Sequence, residues 1–99
     1  MWEALASLQQ RSAPDAFATF KVPGSSNYLQ FAGGRGQPLV LDLPVISLDE
    51  AQQVRAKTHF ARFGVALPPS GFQTYSQDLG SDVDAAVAAG MAVITEVQS

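Results

Sequence analysis

A general base that works near neutral pH is supplied most readily by histidine, and His59 is the only one in the chain. In a Ser–His–acid or Cys–His arrangement it would take the proton of an adjacent nucleophile. Cysteine is absent, however, and no serine sits in a sharp strand-to-helix elbow. The helical neighbours of His59 are Arg55, Arg62 and Phe63, so the expectation is a partly exposed helix histidine.

A second candidate is Gly33-Gly34-Arg35-Gly36. Phosphate loops work because their glycines open a helix whose N-terminal amides face the anion. Here the glycines open a strand, which predicts a hairpin turn with Arg35 at its tip, placed to touch a partner. The third candidate is Asp78, Asp82 and Asp84 around Gly80. Their spacing departs from the calcium-loop pattern and lacks its closing bidentate glutamate, whereas carboxylates at a helix start are stabilised by the helix dipole alone. The other acids, Glu3, Asp15, Asp42, Asp49, Glu50 and Glu96, fall separately at caps, turns and exposed faces, with no pair suited to glycoside chemistry. These residues assign no catalytic group, no metal ligand and no cofactor.

The elements that must position these side chains follow from periodicity. Trp2, Leu5 and Leu8 recur three apart on a short helix that runs to Arg11 and stops at Pro14. Phe17 to Val22 alternates as a strand, Pro23-Gly24-Ser25-Ser26 is turn chemistry, and Asn27 to Ala32 alternates again. Leu39, Leu41 and Leu43 then alternate with Val40 and Asp42, completing an antiparallel meander. Ser47-Leu48-Asp49-Glu50 has the form of a capping box, opening a helix whose stripe is Leu48, Ala51, Val54, Thr58 and Ala61, widened by Phe60 and Phe63 and capped by Gly64. Phe72 to Ser76 reads as a fourth strand. Ser81, three residues before Asp84, caps a last helix with Val83, Val87, Met91, Ile94 and Val97 on one side and Gly90 among them for close approach to the sheet.

The resulting expectation is one α+β domain over residues 1–99, an antiparallel sheet of three to five strands packed against helices in the order helix-strand-strand-strand-helix-(strand)-helix. Its predicted core joins Leu29, Phe31, Leu39 and Leu41 to Val54, Val87, Met91 and Ile94.

Charge and composition narrow the partners. Nine acids oppose six scattered bases, for a net charge of −3. That offers no basic footprint for nucleic acid and nothing for anionic lipid. The longest apolar stretch, Ala85 to Ile94, is too short to span a bilayer, and Met1-Trp2-Glu3-Ala4 lacks the basic, then apolar, pattern of a secretory signal. A cytoplasmic location is the default expectation.

The opening helix with Trp2 and Leu5, the strand Tyr28-Leu29-Gln30-Phe31-Ala32, the helix start Ser47-Leu48-Asp49-Glu50-Ala51, its Phe63-Gly64 ending and the closing Thr95-Glu96-Val97 together resemble the TY-Chap family. These are small bacterial domains placed with the type III secretion chaperone-like fold. The resemblance implies a surface that binds another protein, often as a homodimer, and no catalytic residues. Alternation places Phe17, Thr19 and Lys21 beside Tyr28, Gln30, Val40 and Asp42 on the face opposite the core. The expected function is a non-enzymatic protein-binding module, chaperone-like or immunity-like, that binds another protein or itself through Phe17, Tyr28, Gln30 and Val40 with Arg35. The rival expectation is a small ligand-binding domain or an enzyme of unrecognised type, marked by a deep apolar pocket with convergent polar groups.

Overall fold

The computed structural model describes residues 2–10, 16–21 and 28–98. The expected helix end at Arg11, the stop at Pro14, the turn Pro23-Gly24-Ser25-Ser26 and the adjoining strand ends at Val22 and Asn27 lie outside the described residues. The elements are α1 (Trp2–Gln9), β1 (Ala16–Lys21), β2 (Tyr28–Gly34), β3 (Gln37–Pro44), a 3₁₀ turn (Val45–Ser47), α2 (Glu50–Ala61), β4 (Thr74–Asp78) and α3 (Val83–Glu96). The fold is α+β, with a four-stranded antiparallel sheet in the order β1-β2-β3-β4.

The β2–β3 turn is built by the glycine run. β2 continues through Gly34, Gly36 alone takes a positive φ of 75°, and the ladder shifts register between Ala32 and Gly34, as in a bulged hairpin. Gly33 faces inward, where an added Cβ would stand 3.0 Å from the Leu39 side chain and 3.4 Å from that of Leu8, so a side chain there would require Leu39 to give by a few tenths of an ångström.

β4 begins two residues later than the alternation predicts. Gly71 takes a φ of 85° and Phe72 lies exposed in the bend that follows it. The Val45 amide then donates to the Gln73 carbonyl at 3.0 Å, bringing Thr74–Asp78 alongside β3. In this register Tyr75 pairs with Leu43 and faces the core, its ring stacked on Phe60 with centroids 4.5 Å apart.

Leu29, Phe31, Leu39, Leu41 and Leu43 supply the sheet side of the core, with Phe20 set edge-on against Phe31. Leu5 and Leu8 of α1, Ala56 and Phe60 of α2, and Ala86, Val93 and Val97 of α3 close it from the other side. Burying each of the large apolar side chains stabilises the fold by roughly 1.5–3 kcal/mol relative to leaving it in water. Trp2 does not join Leu5 and Leu8 in the core. It stays half exposed, and its indole N–H donates to Asp84 Oδ1 at 2.8 Å, tying α1 to the first turn of α3.

α2 presents a face rotated from the one its sequence suggests, whereas α3 keeps most of its expected face inward and departs from it at Met91. In α2 the buried residues are Gln52, Ala56, His59 and Phe60, while Val54 is 68% exposed and Ala51, Thr58 and Ala61 face outward. Leu48 and Phe60 of the predicted stripe are buried, and Phe60, with far more apolar surface to bury than Ala51, Val54, Thr58 or Ala61, sets the phase. The N-cap moves too. Asp49, not Ser47, accepts from the Gln52 amide at 2.8 Å, and the Gln52 side chain returns the bond at 3.0 Å, whereas the Ser47 hydroxyl donates to the Pro44 carbonyl inside the 3₁₀ turn. Gly64 takes the left-handed conformation at the far end, with a φ of 71°.

In α3 the buried residues are Ala86, Gly90 and Val93, and the following Val97 is buried as well. Val83, Val87 and Ile94 pack partly against the core, but Met91 is 49% exposed. Nearly every side of this helix is apolar, so hydrophobic period alone leaves its rotation open. The small residues turn inward because they let the helix approach its neighbours. Asp82, not Ser81, caps it, accepting from the Ala85 amide at 3.1 Å.

Candidate functional site

All three helices pack on one face of the sheet, which leaves the other face bare of any element among the described residues. Strand register sets out this open face in rows. Phe17, Ala32, Val40 and Asp78 form one, Thr19, Gln30, Asp42 and Ser76 the next, and Lys21 and Tyr28 pair beyond them. Phe17 on the edge strand is 48% exposed, while Tyr28, Gln30 and Val40 are half buried by their neighbours. The Ser76 hydroxyl donates to Asp42 Oδ1 at 2.7 Å, so the polar row is partly held in place before any partner arrives. Four of the five expected contact residues therefore share this surface. Arg35 does not: it stands at the β2–β3 turn and its guanidinium reaches the Gln10 carbonyl at the end of α1, 3.4 Å away.

The aspartates near Gly80 serve separate local ends. Asp78 accepts from the Gly80 amide at 2.8 Å, Asp82 caps α3, and Asp84 holds Trp2. Among the described residues no three His, Cys, Asp or Glu side chains gather as a metal site would require. None of the described helices is long and apolar enough to cross a membrane.

His59 departs from the sequence expectation, being only 3% exposed. Its position on the buried stripe of α2 brings it against the end of α3, where Nδ1 lies 2.5 Å from Glu96 Oε2. Arg62, one turn on, donates to the same carboxylate oxygen at 2.6 Å. The hydrogen bond from His59 is the chief cause holding the Glu96 carboxyl below its usual range, with the bond and charge of Arg62 adding to it and desolvation opposing. Arg62 Nη2 also stands 3.0 Å from His59 Nδ1, so the imidazole, the carboxylate and the guanidinium form one three-way cluster. This histidine–carboxylate pair links residues 37 apart in sequence, and only the packing of α2 against α3 reveals it. The available signal was the helical spacing of Gln52, Ala56, His59 and Phe60.

His59 also lines a cavity of about 350 Å³ between the end of α2, β4 and α3, with Phe63, Gln77, Leu79, Ala85, Ala88, Ala89 and Ala92. His59 Nε2 and Gln77 Oε1 are buried and have no hydrogen-bond partner among the described residues. Leaving such a group unpaired costs about 1–3 kcal/mol. The lining holds no hydroxyl or thiol that His59 would activate as a nucleophile.

Comparison of the chain with family models, with curated proteins and with solved structures returned no match.

Proposed function

We propose that the chain is a non-enzymatic, chaperone-like or immunity-like protein-binding module of the cytoplasm, and that the open sheet face is where it binds. The observation that carries this reading is a half-apolar sheet face with every helix of the described residues on its far side. The mixture of Phe17, Tyr28, Ala32 and Val40 with Thr19, Gln30 and Asp42 suits an interface core with a polar surround. The resemblance to the TY-Chap domains points the same way.

The occupant this face favours is a second copy of the chain. Lys21 and Asp78 stand on the two edge strands at diagonally opposite corners. A twofold axis lying between two facing sheets and perpendicular to that diagonal sets each lysine over the other copy's aspartate. Four strands about 4.8 Å apart and about six residues long cover a footprint near 400 Å² per copy. That lies at the small end for a specific interface, so the dimer is weak and exchanges readily.

The test is small-angle scattering of the wild type, Tyr28→Ala and Lys21→Glu, each checked by circular dichroism. Both variants keep the fold, since neither side chain faces the core, and both associate less than the wild type. Unchanged association in both would place the contact elsewhere.

A further inference from the structure

We infer that the groove along the outer side of α2 binds an extended polypeptide segment with one acidic residue opposite Lys57 and an apolar residue two positions to either side of it. The inference rests on the reading of the chain as a protein-binding module, and adds a contact in the helix layer, away from the open sheet face.

Glu50, Val54, Lys57 and Ala61 recur at helical spacing on one side of α2 and form one bank of two adjoining cavities, of about 430 and 350 Å³. Val45, Val54 and Leu67 line the first, Ala61, Val65 and Leu67 the second, and Lys57 and Tyr75 belong to both. Val54 and Ala61 are thus apolar residues that α2 turns outward and the core does not use. Backbone bonds hold the opposite bank. The Gly64 amide donates to the Ala61 carbonyl at 3.2 Å and the Val65 amide to the Phe60 carbonyl at 3.0 Å, folding the chain back beside the helix. The Gln73 side chain then donates to the Pro68 carbonyl at 3.0 Å.

Charge places the acid. Lys57 makes no ion pair or hydrogen bond among the described residues. Tyr75 is only 4% exposed, yet its hydroxyl also lacks a hydrogen-bond partner among the described residues and, unlike Gln77 Oε1, is not sealed from solvent. Burial raises the Tyr75 pKa, so the group remains an O–H donor. An ammonium and a phenolic O–H are together satisfied by a carboxylate. Because both cavities share Lys57 and Tyr75, that carboxylate lies between two apolar halves. A fatty acid carries its charge at one end and would leave one half empty, whereas an acidic residue within a polypeptide has neighbours on both sides. The lengths agree. Glu50 to Ala61 spans about 16 Å of helix, and residues i to i+4 of an extended chain, whose side chains share a face with i+2, span about 13 Å. Glu50 at the Val45 end repels a second acid, so one acidic residue fits better than a run of them.

The probe is the end-capped peptide Leu-Ser-Glu-Ser-Leu, titrated into the full chain and followed by ¹H–¹⁵N amide shifts, beside the same peptide with Gln or Lys at its centre and beside dodecanoate. The Glu peptide should shift the amides of Val54, Lys57, Ala61 and Leu67 saturably, with a dissociation constant on the order of 1 mM. Gln at the centre should weaken binding about fivefold, and in Lys57→Glu the preference should reverse, the Lys peptide binding more tightly than the Glu peptide. Val54→Glu, at an exposed helix position, should keep the fold and weaken binding of the Glu peptide about tenfold. Val40→Asp should bind the peptide as the wild type does, so loss of the sheet-face contact and loss of this one are read separately. The inference is overturned by the absence of a saturable shift at these amides, by equal binding of the Glu and Gln peptides, by an unreversed preference in Lys57→Glu, by undiminished binding to Val54→Glu, or by dodecanoate taking the groove more tightly than the peptide.

Discussion

Phe60→Ala and Val54→Ala form a matched test of how α2 is rotated. Phe60 is fully buried, stacked on Tyr75 with an interplanar angle of 11° and set edge-on to His59 at 5.0 Å. Truncating it removes the transfer energy of the ring and leaves a void bounded by rigid strands, a loss of about 3–5 kcal/mol for Phe→Ala in a packed core. A domain of this size has only about 5–15 kcal/mol of net stability, so the variant should be marginal. Val54, at 68% exposure, should change stability by no more than about 0.5 kcal/mol. Urea unfolding followed by far-ultraviolet circular dichroism measures both, with the slope m checked for constancy so that the midpoints report stability. In a thermal melt the same losses appear as roughly 4–8 °C per kcal/mol. A Phe60→Ala loss under about 1 kcal/mol together with a Val54→Ala loss above about 2 kcal/mol would mean that the helix presents its other face to the sheet.

Two further substitutions probe the ends of the same helix. Asp49→Ala removes the cap from α2 and should lower stability by about 1 kcal/mol in urea, and Ser47→Ala should cost clearly less; the reverse order would restore Ser47 as the cap. Because the folded-state pKa of Glu96 is lowered from 4.5, its contribution to stability is fully present above that value and is lost as the pH falls through the lowered one. Melting temperatures between about pH 6 and pH 3 should therefore fall less steeply for Glu96→Gln than for the wild type, and parallel curves would dissociate Glu96 from His59 and Arg62 in solution.

Strands were far more legible in the sequence than helix rotation. Leu29, Phe31, Leu39, Leu41 and Leu43 alternate with polar or smaller residues, and a period of two leaves only two possible faces. The stripe read for α2 took in Phe60 at its edge but centred on Val54, and it is the meeting of Phe60 with Tyr75 across the core that turns Gln52, Ala56 and His59 inward instead. In α3 the apolar residues run almost all round, so periodicity could not tell Ala86 from Met91, although Gly90 was placed inward and is buried. Cap positions shifted by one or two residues because Ser47, Asp49, Ser81 and Asp82 are all competent caps, and only the local path of the chain selects among them. The open face was readable from alternation alone. The His59–Glu96 pair and its cavity were not, since they arise from contacts between α2, α3 and β4 that local pattern does not encode.

Sedimentation velocity of the wild type and Val40→Asp, from about 10 μM to 1 mM, bears most directly on the open sheet face as a binding surface. Val40 sits near the middle of the face, where it pairs with Ala32 and Asp78 and makes no part of the core. A weak dimer should carry the wild type from its 10.5 kDa monomer toward twice that mass across this range, while folded Val40→Asp stays monomeric because it buries an unpaired charge at the contact. A wild type that remains monomeric throughout, or a folded Val40→Asp that associates equally well, would contradict the account.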